Sequence, residues 1–160
     1  MNDLERGGLQ YYAGRACDPQ WRLFLQTLAD ELNEQMDVEE IRAFCYVIGQ
    51  RMAEAEPIEE VETLEALETA INQRLDASGW GWTVIRDVHS SLEFVHSCAP
   101  LRAAFGEDSL AWSGALLEGM YAVWLKALGA GDELQLRQIG EAEGAVDTLR
   151  YRLAHPSLFA

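Results

Sequence analysis

The spacing of apolar residues changes near Ser78-Gly79 from a helical period to that of strands, and this change limits the possible folds most. Before it, apolar residues recur every three or four positions, as on amphipathic helices. After it, the stretches 80–89 and 92–98 are rich in Trp, Val, Ile and Thr, and their apolar residues alternate as in β-strands. The pattern predicts an α+β fold: a helical N-terminal half followed by antiparallel hairpins and a buried helix.

Two helices are predicted at the start of the domain. Asp18-Pro19 favours a helix start, because Asp is a good N-cap and Pro is tolerated in the first turn. Asp37 and Glu40 have the spacing of a capping box for the second helix. The apolar stripe of the first helix consists of Trp21, Phe24, Leu25, Leu28, Leu32 and Met36. The second helix is expected to bury Ile41, Phe44, Val47, Ile48 and Met52.

A third helix is predicted from Pro57 onward. Its apolar residues have a spacing like that of a coiled coil, and glutamates occupy most other positions. The positions with this spacing are Val61, Leu64, Leu67 or Glu68, Ile71 and Leu75. Two interpretations are open: a core helix with a solvated acidic back, or a seam against another protomer.

The C-terminal half is predicted to hold two hairpins around one apolar helix. The first hairpin turns at Ser90-Ser91, and the second pairs 133–141 with 145–154 near Gly144. Within the second hairpin, Leu134 and Leu136 share one face of the run 133–141. Leu149, Tyr151 and Leu153 share one face of the run 145–154. Between the hairpins, Asp108 or Ser109 caps a helix over 110–128 that stops at Gly129-Ala130-Gly131. Apolar residues surround this helix, so we expect it to be nearly fully buried. Gly114 and Gly119 would let another backbone approach it closely.

Length and charge limit the domain organisation and the classes of partner. The 160 residues suit one domain, predicted to span 18–160, with the glycine-containing leader 1–17 as a flexible arm, either extended or mobile. A net charge of -15 argues against nucleic acid or an anionic membrane as partner, whereas a neutral polymer, a neutral sugar or a basic protein is allowed. No long apolar run predicts a membrane span, and the N-terminal MNDLERGGLQ lacks the apolar core of a secretory signal, so we expect a cytoplasmic protein.

The sequence gives little support for catalysis. His89 and His96 could face each other across the first hairpin as a metal pair, but ordinary polar sheet positions are the favoured interpretation, and His155 has no ligand spacing either. Cys98 lies two positions from His96, which would bring a thiol near an imidazole, yet no third orienting group is evident. GxSxG, P-loop and GxGxxG motifs are absent. We predict no enzymatic activity, no cofactor and no metal.

Aromatic residues near the N-terminus are candidates for binding. Tyr11 and Tyr12 lie in the arm, with Trp21 just beyond. Flat aromatic rings stack on the apolar faces of sugars and also anchor protein interfaces. Packing on a neighbouring protomer is the simpler alternative.

Three stretches together resemble the D subunit of bacterial cellulose synthase. The first is the helix WRLFLQTLADEL from Trp21; the second is Trp80-Gly81-Trp82, with Val95-His96 and Pro100 following. The third, LEGMYAVW from Leu117, is similar to the family's Leu-Glu-Gly-Leu-Tyr-x-x-Trp helix. The resemblance covers about residues 19–139. For its motif residues we expect structural or interfacial roles: Trp21, Trp80, Gly81, Glu118, Gly119, Tyr121 and Trp124.

The resemblance implies a non-catalytic accessory protein of cellulose biosynthesis. Members of that family form a cylindrical octamer, a tetramer of dimers, whose N-terminal segments line passages for glucan chains and which helps arrange synthase complexes for ordered crystallisation. The arm of this chain is longer and has no clear match there; by position, Tyr11, Tyr12 and Arg15 would be its glucan-contacting residues. The resemblance implies sister copies, other synthase subunits and β-1,4-glucan as partners. The acidic faces add a basic or proline-rich partner segment, and the missing export signal favours a scaffold on the cytoplasmic side near the inner membrane.

Two other function classes remain open from the residues alone. An acidic dimeric secretion chaperone would share the size, the low pI and the α+β composition. A small hydrolase would depend on Cys98 or the histidine pair.

Overall fold

The computed structural model describes residues 1–129 and 131–159. The α-helices are α1 (Asp3–Gly14), α2 (Pro19–Gln35), α3 (Val38–Ala55), α4 (Leu64–Ser78), α5 (Leu101–Phe105), α6 (Leu110–Ser113) and α7 (Ala115–Trp124). The strands are β1 (Trp82–Val88), β2 (Ser91–Ser97), β3 (Gln135–Glu143) and β4 (Thr148–Ala154). Short 3-10 turns cover Glu107–Ser109, Leu125–Leu128 and Pro156–Phe159. The predicted α+β class and the helical N-terminal half are confirmed.

Local capping explains where the first helices begin. Helix α2 starts at Pro19 as predicted, although the side chain of Asp18 makes no capping hydrogen bond. Asp37 and Glu40 form the predicted capping box of α3: each carboxylate accepts the other residue's backbone N–H at 2.9 Å. These bonds satisfy N–H groups that a helix start leaves unpaired.

The N-terminal segment is helical, so the prediction of an extended arm is wrong. Asn2 and Glu5 form a capping box for α1, with distances of 2.8 and 2.9 Å. No residue of α1 is buried. The sequence lacks apolar periodicity here because this helix has no packed face, and its start is set by capping instead. That the segment moves relative to residues 18–160 stays a prediction.

Helix α4 begins later than predicted. Thr63 is its N-cap, accepting the N–H of Ala66 at 3.1 Å, and the chain from Pro57 to Thr63 is irregular. The carbonyl of Pro57 accepts two hydrogen bonds from Arg74, at 2.7 and 3.1 Å, which replace the helical bond expected there. Leu67, Ile71 and Leu75 are fully buried within this chain. The core interpretation of this helix is therefore correct.

The strands form one antiparallel sheet in the order β1-β2-β4-β3. The first hairpin turns at His89-Ser90, one residue earlier than predicted, and His89 takes a left-handed conformation with φ of 56°. Strand β3 starts at Gln135, which leaves Leu134 outside it and exposed, while the inner face of β4 is buried as predicted.

Side chains of α4 close the outer edge of β1. Asn72 accepts the N–H of Thr83 at 2.8 Å and donates its amide to the Thr83 carbonyl at 2.9 Å. Glu68 accepts the N–H of Ile85 at 2.7 Å. A strand edge whose backbone groups are occupied in this way is a poor template for pairing with another chain.

The predicted long apolar helix is divided into two at Gly114. The carbonyl of Gly114 accepts hydrogen bonds from the N–H of Glu118 at 3.2 Å and from the hydroxyl of Tyr151 at 2.8 Å. The short helix α5 before it was not predicted. Helix α7 is nearly fully buried, as expected, and Gly129 ends the following turn in a left-handed conformation. Ala130 of the predicted C-cap lies outside the described residues.

Helices α3 and α7 approach each other closely through two glycines. A Cβ on Gly119 would lie 2.1 Å from the carbonyl oxygen of Tyr46, and one on Gly49 would lie 1.9 Å from that of Leu116. The prediction for Gly119 is confirmed; Gly49 was not singled out. At Gly114 the neighbour is the side chain of Gln138 rather than a backbone.

In the described ranges, none of the helices has both the length and the apolar character that a bilayer crossing requires.

Trp124→Ala is expected to lower the free energy of unfolding by about 3–5 kcal/mol, because it leaves a large cavity. Trp124 is 2% exposed, and its Nε1–H donates to the Glu56 carbonyl at 3.0 Å. Urea denaturation followed by circular dichroism measures the change. Trp82→Ala, at a half-exposed strand position, is the control and should change stability far less. Equal effects of the two substitutions would contradict the burial argument.

Candidate functional site

Three of the candidate motif residues meet in one buried cluster around His96. Its Nε2–H donates to the Trp80 carbonyl at 2.7 Å, and its Nδ1 accepts a hydrogen bond from the hydroxyl of Tyr121. Gly81 follows with φ of 87°, and a Cβ there would lie 2.1 Å from the Ser97 carbonyl oxygen. Burial lowers the pKa of His96 to about 4, so its ring is neutral near pH 7. Both ring nitrogens are engaged, and the cluster joins β1, β2 and α7 instead of offering a ligand site.

Glu118 of α7 connects three elements. Its carboxylate accepts the N–H of Gln138 on β3 at 2.8 Å and the guanidinium of Arg42 on α3 at 3.2 Å. Arg42 also donates to the Ala111 carbonyl at 3.1 Å and to the Gln138 side chain at 3.2 Å. The Arg42–Glu118 pair is mostly shielded from solvent. This geometry favours a structural role for Glu118.

The suggested catalytic and metal arrangements do not form. Register pairs His96 with Thr83, while His89 lies in the hairpin turn, so the two histidines do not face each other. Cys98 leaves the strand with φ of 64° and is exposed, whereas His96 is buried. The expectation that the thiol and the imidazole share a face is wrong, because the strand ends at Ser97. Across residues 1–129 and 131–159, no cluster of three His, Cys, Asp or Glu side chains is placed to hold a metal ion.

Helix α2 carries an apolar surface that the chain itself does not cover. We call Trp21, Phe24 and Leu28 the α2 stripe; they are 54%, 58% and 41% exposed, and the rings of Trp21 and Phe24 lie edge to face at 6.2 Å. Successive helical residues are rotated by about 100°, which places Leu25, Ala29 and Leu32 beside the stripe. Those neighbours are packed, and α5 is the main element against α2. The predicted apolar face of α2 is therefore correct, but the rest of the chain covers only part of it.

Helix α3 differs from its prediction in the same way. Phe44 and Val47 were expected to be buried and are about half exposed. The buried positions are Ile41, Cys45, Gly49 and Ala53. Smaller residues face α7 because the backbones approach so closely there.

The two tyrosines and the arginine of the arm lie on or just after α1. Tyr11 and Tyr12 are exposed, with ring centroids 5.6 Å apart, and the Arg15 guanidinium lies 5.4 Å from the Tyr11 centroid. Arg22 of α2 donates to the carbonyls of Gly14 and Cys17, both at 2.8 Å, and so contacts the segment that joins the two helices.

A groove of about 600 Å³ separates α1 from the body of the domain, and we call it the N-terminal groove. Tyr12 lines one side, whereas Tyr11 and Arg15 do not line it. On the other side, Arg102 donates to both oxygens of Asp147 at 2.8 and 2.6 Å, and this pairing raises the pKa of the guanidinium. No sequence signal marked this pair, because 45 positions separate its members. The groove thus combines one aromatic ring, that of Tyr12, with hydrogen-bonding groups, and this combination suits a neutral ligand rich in hydroxyls.

His96 should make stability depend on pH in a defined window. Its pKa falls from 6.5 to about 4 on folding, so between these pH values His96 is protonated in the unfolded chain and neutral in the folded chain. The stabilisation is complete above pH 6.5 and is lost as pH falls toward 4, by on the order of 3 kcal/mol. His96→Gln should flatten this slope in urea denaturation at several pH values, relative to unmodified protein. His155→Gln, at an exposed position, is the control; a slope unchanged by His96→Gln would contradict the assignment.

Comparison with known proteins gives consistent matches. The family model for the D subunit of cellulose synthase matches residues 8–152. A cellulose synthase operon protein D of Komagataeibacter xylinus is 32% identical over 126 residues, covering 76% of this chain and 80% of the relative. A second protein of that name and organism is 28% identical over 109 residues, 67% of this chain and 70% of its own length. One from Komagataeibacter sucrofermentans is 28% identical over 125 residues, 76% of this chain and 80% of its own length.

The matched range begins within α1 and ends within β4, so it includes the α3–α7 contact, the His96 cluster and the α2 stripe. A match of this extent identifies the family: the chain belongs to the family of cellulose synthase D subunits.

Proposed function

We propose that this chain is a non-catalytic scaffold subunit of bacterial cellulose biosynthesis that acts by self-association. The observation that carries the proposal is the exposed α2 stripe on a member of the D-subunit family. Its copies assemble as dimers and then as a ring, an octamer, that organises synthase complexes and so guides export and crystallisation of the glucan chains.

The charge of the chain makes the stripe informative. With a net charge of -15, copies repel each other at long range, so stable association depends on short-range apolar contact. Trp and Phe are enriched among residues that dominate interface energies, and an apolar patch beside a packed core is typical of an interaction surface. The α2 stripe meets both criteria.

Two of the three proposed glucan contacts, Tyr11 and Arg15, lie outside the N-terminal groove, and Tyr12 lines it. A neutral β-1,4-glucan is unaffected by the negative charge of the chain and offers apolar sugar faces for the tyrosines. In this proposal α1 is a mobile arm on the single domain 18–160 and presents all three residues to a passing glucan chain.

The other proposed partners are subunits of the cellulose synthase complex, one of them with a basic or proline-rich segment that meets the acidic back of α4. The relatives are named as products of a cellulose synthase operon, which supports this assignment. The chain is placed in the cytoplasm near the inner membrane, not embedded in it. In this proposal the chain needs no cofactor and is not an enzyme. The engaged ring nitrogens of His96 and its separation from the exposed Cys98 support this.

The α2 stripe also suits a second candidate function, that of an acidic dimeric secretion chaperone. Such a protein would use the stripe to hold an unfolded export substrate. Co-expression with such a substrate separates the two: a chaperone retains it, whereas a scaffold associates with itself in its absence.

Trp21→Ser with Phe24→Ser should weaken self-association by roughly 10²–10³-fold, because two aromatic anchors are lost. Light scattering coupled to size-exclusion chromatography measures the mass across a dilution series. Leu23→Ser is the matched control, since Leu23 is 76% exposed on the same helix but turned away from the stripe. If the double variant self-associates as strongly as the unmodified chain, the stripe has no role in assembly. If the unmodified chain is strictly monomeric, the scaffold proposal is refuted.

Tyr12→Ala should weaken binding of a soluble cello-oligosaccharide by about 10-fold, the loss expected for one aromatic stacking contact. Isothermal titration calorimetry on the assembled protein gives the affinity. Leu4→Ala is the control, because Leu4 is exposed on α1 and does not line the N-terminal groove. Equal affinities of the two variants would exclude Tyr12 as a contact.

A further inference from the structure

The outer face of the sheet carries a basic surface that is unusual for so acidic a chain. On this face, register aligns Arg86 with Glu93, Glu93 with Arg152, and Arg152 with Arg137 across all four strands. Arg150 lies one row away on the same side of β4. Four of the chain's 12 Lys and Arg residues therefore share one face, and we call them the arginine face.

The alignment is unfavourable for an isolated chain. Arg137 and Arg152 are directly opposite each other on β3 and β4, and like charges in that position destabilise a sheet. Glu93 forms a salt bridge with Arg150 at 2.9 Å, and Glu143 is the other acid at a paired position on this face. Within residues 1–129 and 131–159, Arg86 and Arg152 have no salt-bridge partner. The face thus has positive charge left for an external carboxylate group.

The complementary surface is on the same chain. Six exposed glutamates occupy the acidic segment 54–65: Glu54, Glu56, Glu59, Glu60, Glu62 and Glu65. Three contacts hold this segment in place: Trp124 to the Glu56 carbonyl at 3.0 Å, Arg74 to the Pro57 carbonyl at 2.7 Å, and the Val61 N–H to the Ala127 carbonyl at 3.0 Å. A fixed segment loses little conformational entropy when it binds.

The acidic segment cannot reach the arginine face of its own chain. Inner-face rings of the sheet, Phe94 and Tyr151, pack on Tyr121 of α7, and the segment is attached to Trp124 of the same helix. The sheet and α7 therefore lie between the two surfaces. The arginine row spans three strand spacings, about 14 Å, and the irregular stretch 57–62 can span at most about 20 Å, so the lengths are compatible.

We propose that the arginine face binds the acidic segment of a second copy of this chain. The proposal rests on the self-association put forward above and specifies one of its contacts. Two different surfaces meet, so the contact is heterologous, and repetition of such a contact closes a ring or extends a filament. Salt weakens it, because exposed charges are screened beyond about 8 Å at physiological ionic strength.

Charge reversal tests the contact. Arg86→Glu with Arg152→Glu should weaken the higher assemblies at least 10-fold in sedimentation velocity, and so should Glu59→Arg with Glu62→Arg. An equimolar mixture of the two variants should recover them, because the reversed surfaces are again complementary. Arg6→Glu with Arg51→Glu is the control: both residues are exposed and lie outside the arginine face and the acidic segment, and the variant carries the same charge change as the first. Circular dichroism verifies that every variant is folded.

The outcomes separate the contact from the general proposal. The contact is supported if the unmodified chain assembles, each variant alone loses this assembly, and the mixture of the two variants recovers it. If the arginine variant assembles as strongly as the control variant, the proposed contact is refuted, whereas the proposal of self-association is unaffected. Loss in each variant without recovery in the mixture also refutes the contact, and an acidic segment of another protein then becomes the occupant to test. A monomeric unmodified chain refutes both proposals.

Discussion

The close approach of α3 and α7 is the constraint on which the rest of the fold depends. It is possible because Gly49 and Gly119 leave room for the carbonyl oxygens of Leu116 and Tyr46. A side chain at either glycine would push the helices apart, and Glu118 and Arg42 would then no longer meet. Because α7 also packs on the inner face of the sheet through Tyr121, a shift at this contact would be transmitted to the strands.

Buried polar groups add specificity to this packing. His96 forms hydrogen bonds with the Tyr121 hydroxyl and with the Trp80 carbonyl. The Tyr151 hydroxyl donates to the carbonyl of Gly114, between α6 and α7. Unpaired polar groups in a core are costly, so each of these bonds favours one arrangement of strands and helices over its alternatives. Two of the family-motif residues, Trp80 and Tyr121, take part in this network.

Association by strand pairing is disfavoured at both edges of the sheet. Asn72 and Glu68 occupy the edge of β1, and Glu118 accepts the outward N–H of Gln138 on β3. The surfaces left uncovered include the α2 stripe, the half-exposed Phe44 and Val47 of α3, and the arginine face.

Sequence reasoning identified the α+β class, the capping box at Asp37 and the burial of α7, because each depends on short-range spacing and capping chemistry. It missed α1, whose start is set by capping rather than by an apolar face, and it placed the start of α4 at Pro57, since the contact of Arg74 with that carbonyl is invisible locally. Which apolar residues of α2 and α3 stay exposed was decided only by tertiary structure. A helical stripe shows that a face is apolar, whereas the neighbours that cover it come from distant parts of the chain. The same holds for the Arg102–Asp147 pair and for the alignment of arginines, which exist only once the strands have found their register.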